Sequence, residues 1–261
     1  MIESTHSPQF LFRYRHLNGE HREWTANILR RSVLFFSPPA LFDDPLDCRI
    51  HFQPSISETE LRRNYQRLWK KFAPELNRDQ RRARVQNDLR GFDRDLLLKT
   101  ITIGLQEKVE GTGILCLSKA PDNVVLWSQY AAGHTGLCLI FSVAADMAFF
   151  ARALPVTYSK ECPRIDLLGD SAEKMVDVFL LTKATEWMYQ DEWRIVDHDT
   201  GKGEKAFAPN ALVGVILGAK MSAPDRLFVI SCLRDRSTPV PLFEARVQAG
   251  RYGISIHNIE Y

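Results

Sequence analysis

The 261-residue sequence predicts an α+β fold: a single domain with a mixed or antiparallel β core that carries a basic helical insertion over residues 57–108. Three observations lead there. Short apolar, β-prone runs are spread along the whole chain. Helical spacings fall between them without the regular strand–helix alternation of a parallel α/β sheet. One stretch rich in arginine and lysine reads as helix throughout. The stretches between these segments contain no repeat and no low-complexity linker.

In order, Phe10 to Arg15 is a β-prone run, Thr25 to Arg31 is weakly helical, and Ser32 to Ser37 is a second apolar strand. Pro38 and Pro39 end that strand because neither can donate to a ladder. Phe42 to Cys48 reads as an acidic turn. In the insertion, Leu61, Tyr65, Leu68 and Trp69 recur at helical spacing after a Ser57/Glu60 capping-box pattern. Ile114 to Ser118 is a buried strand, Val124 to Ala132 makes one or two helical turns ended by Gly133, and Gly136 to Ser142 is another strand. Ala144 to Ala151 reads as helix and Pro155 to Tyr158 as extended chain. Ala172 to Trp187 reads as a long amphipathic helix. Glu192 to Val196, Leu212 to Leu217 and Leu227 to Ser231 read as strands, and Leu242 to Tyr261 as two more broken at Gly250 and Gly253.

Composition narrows the function classes. Lys and Arg total 34 against 32 Asp and Glu, a net charge of +2, so bulk electrostatics do not announce a nucleic-acid or membrane binder. The apolar stretch Val143 to Leu154 is interrupted by Asp146 and Arg152, well short of a membrane span. The first residues lack the basic start and apolar core of a signal peptide. A cytoplasmic protein without a membrane partner is expected. Cys48, Cys116, Cys138, Cys162 and Cys232 are not spaced as a zinc knuckle or redox pair and suit reduced thiols, Cys48 and Cys162 being the less buried in character. The histidines are scattered, so no metal site is expected.

Four constellations carry potential chemistry. In Arg13-Tyr14-Arg15, strand alternation puts the two arginines on one face and Tyr14 on the other. Turned inward, they require an anion or carboxylates; on an edge strand, water suffices. Ser37 stands at a strand end before a stiff proline rim, followed by Asp43, Asp44 and Asp47. Those carboxylates suit acid–base work, a cation, or plain turn capping. Gln190 and Glu192 are two apart and share a face in extended chain. A carboxylate entering the apolar run after Glu192 either works catalytically or pairs with Arg194 or Lys183. Trp127, Tyr130 and His134 fall near helical spacing, offering two aromatics and an imidazole to a ligand, or simply packing in the core.

The motifs Arg13-Tyr14-Arg15, Phe36-Ser37-Pro38 through Phe42 to Asp47, Gly113 to Ser118, Leu126-Trp127-Ser128-Gln129-Tyr130 to Gly136, Val156-Thr157-Tyr158 and Glu192-Trp193-Arg194-Ile195 together resemble the family catalogued as domain of unknown function 2971. That family includes proteins grouped with abortive-infection phage resistance. A second resemblance is to ADP-ribosyltransferases with an arginine–serine–glutamate triad. It implies an ADP-ribosyltransferase-like β core and NAD as substrate. Arg13 or Arg15 would hold the phosphate or ribose, and Ser37 would support the nicotinamide pocket. Glu192 would stabilise an oxocarbenium-like transition state, with Gln190 orienting a nucleic-acid or protein acceptor. The second strand departs from the triad's pattern, reading Phe-Phe-Ser-Pro-Pro. Two alternatives stand beside this. One is a non-catalytic defence or regulatory module binding nucleic acid or protein through Arg62, Arg63, Arg81 and Arg82. The other is metal-dependent hydrolysis at Asp43, Asp44 and Asp47. No phosphate-binding lysine loop, dinucleotide glycine fingerprint or serine-hydrolase elbow is present.

Overall fold

The computed structural model describes residues 8–49, 57–91, 93–163 and 171–261. β1 (Phe10–Arg15) leads through α1 (His21–Arg31) to β2 (Val33–Phe36) and a 3-10 turn at Pro39–Leu41. α2 (Glu58–Phe72), α3 (Arg78–Asp88) and α4 (Arg94–Gly111) form the insertion. β3 (Gly113–Ser118), α5 (Val124–Gln129), β4 (Leu137–Ser142), α6 (Met147–Phe150), β5 (Leu154–Pro155) and β6 (Thr157–Ser159) follow. The remainder is α7 (Ala172–Leu180), β7 (Thr182–Ala184), a 3-10 segment at Thr185–Gln190, β8 (Glu192–Asp197), β9 (Gly203–Ala206), β10 (Leu212–Leu217), α8 (Ala223–Arg234), β11 (Leu242–Val247) and β12 (Ile254–Ile259).

The fold is α+β with a mixed, mostly antiparallel sheet ordered β12-β11-β10-β4-β1-β3-β8-β5, in which β10 and β11 run parallel. Alternation along the strands sorts two cores. On one face Leu11, Leu115, Leu139, Phe141 and Ile195 pack under α1, α6 and α8 through Leu29, Phe150 and Val229, all fully buried. On the other, Tyr14, Cys138 and Ile216 pack against Trp127 of α5, and Ile114 packs against Leu105, Val109 and Leu180 of α4 and α7. Each such large side chain contributes roughly 1.5–3 kcal/mol when fully buried. β1 is therefore central, not an edge strand, and the reading of Arg13 and Arg15 as solvated edge residues does not hold.

Several expectations are corrected. Leu227 to Ser231 is not a strand but the middle of α8, because Ser222 accepts the N–H of Asp225 and Pro224 suits the first turn, so the cap decides a run compatible with either state. The expected helix from Ala172 to Trp187 ends at Leu180. Thr182 to Ala184 instead pairs in parallel with Thr157 to Ser159, and Lys183 is drawn into a buried ion network. Ala144 to Ala151 is a 3-10 turn and then α6, separated at Asp146, whose carboxylate caps Phe149. The capping-box partner Glu60 has a side chain outside the described residues.

Candidate functional site

The site arises where a ladder fails. β1 and β3 pair at Phe12 and Ser118 alone. Continuing that antiparallel register would set Ile114 opposite His16. Ile114 instead exchanges two backbone hydrogen bonds of 2.9 Å with Ser37, just beyond β2. β1 remains zipped to β4 from Phe10 to Arg15, so the sheet splits along one seam. A cleft of about 300 Å³ opens there, and side chains from both faces of the sheet line it.

One wall carries Arg13 and Arg15, both half-buried. Arg13 Nη1 donates to the Cys116 carbonyl at 3.0 Å, a backbone acceptor that the missing β1–β3 ladder leaves open. The Arg15 Nε is buried and has no partner among the described residues. Neither guanidinium meets a carboxylate among the described residues. Burial lowers the pKa of both, and for Arg15 the neighbouring Arg13 charge lowers it further. Two desolvated cations on one strand are costly without an anion.

The opposite wall is a buried network of two acids and two bases. Glu192, 6% exposed, accepts from Lys183 Nζ at 2.9 Å and from Arg194 Nε at 2.8 Å. Asp47 accepts from Arg194 Nη2 at 2.6 Å and faces Lys183 Nζ at 3.2 Å. Burial alone would raise both carboxyl pKa values, but Arg194 and Lys183 outweigh it and hold both below the usual carboxylate range. Glu192 is thus an ionised carboxylate at neutral pH. Gln190 extends the network: its Oε1 accepts from Lys183 at 2.8 Å and its Nε2 donates to the Tyr130 hydroxyl at 2.9 Å. Burial is the main cause that raises Tyr130 above its ordinary pKa, so its hydroxyl stays protonated.

The backbone explains how Gln190 and Glu192 converge. Asp191 between them takes a left-handed conformation with φ of 41°, and the Ser118 hydroxyl donates to the Gln190 carbonyl at 2.7 Å. The two side chains meet at Lys183, although Gln190 ends a 3-10 segment and only Glu192 is in a strand.

Of the residues singled out from sequence, Arg13, Tyr14, Arg15, Ser37, Tyr130, Gln190 and Glu192 all line the cleft. Trp127 and His134 do not. Trp127 is fully buried against Tyr14, and His134 lies beyond the end of α5 with φ of 70°, stacked on Trp127 at 6.2 Å. They therefore share no ligand-facing helix surface with Tyr130. Asp43, Asp44 and Asp47 line the cleft as well; Asp47 pairs with Arg194, while Asp44 accepts the N–H of Leu46 as a turn residue. No group of three or more His, Cys, Asp or Glu side chains among the described residues is arranged to hold a metal. Cys48 is 1% exposed, against its expected accessibility, and burial pushes its thiol up; Cys162 is exposed. Pairing of Glu192 with Lys183 or Arg194 was open from sequence and both pairs form; the expected helix over Lys183 hid only that it also joins Gln190 and Asp47. A lysine amid apolar neighbours was the available signal.

On the insertion, three of the four expected contact arginines are engaged: Arg62 with Glu58, Arg82 with Asp79 and Arg81 with the Leu76 carbonyl. The exposed Arg63, Arg67, Lys70 and Lys71 follow one α2 stripe at i, i+4, i+7 and i+8, and none meets a carboxylate among the described residues. Among the described residues, no helix is long and apolar enough to cross a membrane. Compared with family models, curated proteins and solved structures, the chain matches none.

Proposed function

We propose that the split-sheet cleft binds NAD and breaks its nicotinamide–ribose bond, making the protein an ADP-ribosyltransferase or NAD glycohydrolase. This is the role its resemblances imply, related to the domain of unknown function 2971 family and to phage defence. The observation that carries the reading is the pairing, across one cleft, of two arginines that meet no carboxylate among the described residues and a buried, ionised Glu192. The guanidiniums suit a diphosphate. In the reaction the bond from ribose C1′ to the pyridinium nitrogen breaks, and its electron pair returns to the ring, releasing neutral nicotinamide. Water or an acceptor nucleophile bonds to C1′ and gives up its proton to solvent. Positive charge develops on the ribose, and a fixed carboxylate stabilises it. Gln190 and the protonated Tyr130 hydroxyl would orient the sugar and the acceptor.

The test is nicotinamide release from NAD by the wild type and by Glu192→Gln, with thermal unfolding measured alongside. A loss of about 100-fold or more is expected, in line with removal of one electrostatic stabiliser. Unchanged release by a folded variant, or no NAD binding by the wild type, overturns the reading.

A second reading is favoured by the exposed α2 stripe of cations that meet no carboxylate among the described residues, which suits a nucleic-acid backbone. It stands either as a binding function in its own right or as the means of presenting an acceptor.

A further inference from the structure

We propose that His16, His21 and Trp24 form a stacking platform for the purine base of a nucleotide whose diphosphate lies on Arg13 and Arg15. The inference rests on the dinucleotide reading above and assigns the half of the ligand that the cleft does not enclose. A volume of about 300 Å³ is at the small end for ligand pockets, which run from about 300 to 1,000 Å³. It suits a ribosyl-nicotinamide reaching toward Glu192, and leaves the adenosine outside, past Arg15.

What lies past Arg15 is aromatic. β1 ends at Arg15, His16 follows, and α1 begins at His21. The His16 and His21 rings lie 3.8 Å apart at 40°, and His21 meets Trp24 at 4.5 Å and 61°. Trp24 is 47% exposed and belongs to none of the core clusters, while α1 buries Thr25, Ala26, Ile28 and Leu29 instead. A lone exposed aromatic needs no explanation. Three contiguous rings beside a half-buried guanidinium whose Nε is buried without a partner among the described residues do.

The platform is uncharged at neutral pH. Burial lowers both imidazoles, and Arg15 lowers them further; His21, also next to His16, is held down to about 4. Neutral heteroaromatic rings favour a base face over a second phosphate, and stacking of a base on an aromatic is tolerant of base identity. The geometry thus gives one ligand three successive environments: platform, arginine pair and cleft.

Calorimetric titration with nicotinamide mononucleotide and with ADP-ribose tests this, using the wild type, Trp24→Ala and Trp24→Phe. Trp24→Ala is expected to weaken ADP-ribose about 10-fold, a loss within the range of one base–aromatic stack. Nicotinamide mononucleotide, which lacks the purine, should bind both proteins within about 2-fold. Trp24→Phe should recover most of the loss. Thermal unfolding reports whether Trp24→Ala is folded, and His21→Ala serves as the second variant if it is not. Unchanged ADP-ribose affinity in the folded alanine variants, with mononucleotide still bound, overturns the platform alone. If the wild type binds neither ligand, the dinucleotide reading falls and the platform with it.

Discussion

Arg15 is held by the fold at a cost: a buried Nε without a partner among the described residues, beside a second cation on the same strand. A desolvated cation without a counter-charge costs stability, and an anion bound at it would offset that cost. Arg15→Met, which keeps the stem and removes the charge, is expected to raise the melting temperature by a few degrees, corresponding to about 1 kcal/mol. If the cleft takes NAD as proposed, the same variant should weaken its binding by at least about 10-fold. Melting curves and titration on one preparation check both effects, and a fall in melting temperature would show that Arg15 serves the fold. Glu192 shows the reverse balance, since its charge is matched by Lys183 and Arg194 in the same network. Both arginines and Glu192 were legible from sequence, because polar residues inside apolar runs stand out under strand alternation; Gln190 meets Glu192 through the left-handed Asp191 and not through the shared strand face expected of them. Trp127 and His134 misled. Their spacing is helical, but α5 stops at Gln129 and the chain then turns through the left-handed residues Ala132, Gly133 and His134.

At the level of elements, the seam depends on how β1 ends. Gly136, leading into β4, lies so close to that end that an added Cβ would sit 2.1 Å from the Arg15 carbonyl oxygen and 3.0 Å from the His16 Cα. Backbone on one side cannot yield as a side chain would. Gly136→Ala is expected to cost roughly 1–3 kcal/mol, as overpacking does. If the cleft takes NAD as proposed, the variant should also weaken its binding, by moving Arg15 relative to Glu192. Chemical denaturation with a parallel titration measures this, and a variant as stable as the wild type would show that β1 and β4 can slide apart freely. The strands flanking the seam were readable from their apolar runs. The seam itself was not, because it depends on a partner exchange: Ser37 takes the place on β3 that β1 gives up, and no local pattern encodes which of two distant segments wins. The same limit explains Leu227 to Ser231, where β-branched and aromatic residues fit a strand or a buried helix equally, and the Ser222 cap decides.

Across the whole molecule, a net charge of +2 conceals a segregated distribution. Cations that meet no carboxylate among the described residues lie on the α2 stripe and along the cleft's arginine wall, and balanced ion pairs occupy the opposite wall. If the stripe binds nucleic acid, reversing Arg63, Arg67, Lys70 and Lys71 to Glu should flatten the log–log salt dependence of binding by roughly 3, about 0.7 per phosphate of a single strand. Fluorescence anisotropy with a labelled oligonucleotide across salt concentrations measures it. An unaltered slope would place any nucleic-acid contact elsewhere. The charge excess of the insertion was visible from sequence; which cations remain unpaired was not, since that depends on i,i+3 and i,i+4 partners actually meeting.

The two ends of the eight-stranded sheet differ in a way that bears on how copies of this chain can meet. β5 is two residues long and ends in Pro155, so it offers almost no template. β12 is six residues, Ile254 to Ile259, with neither proline nor formal charge, and its outer side has no strand neighbour among the described residues. A particle with one adhesive edge and one inert edge cannot polymerise along that sheet. Two copies joined through β12 would present only blunt ends outward, so growth by strand addition terminates at the pair.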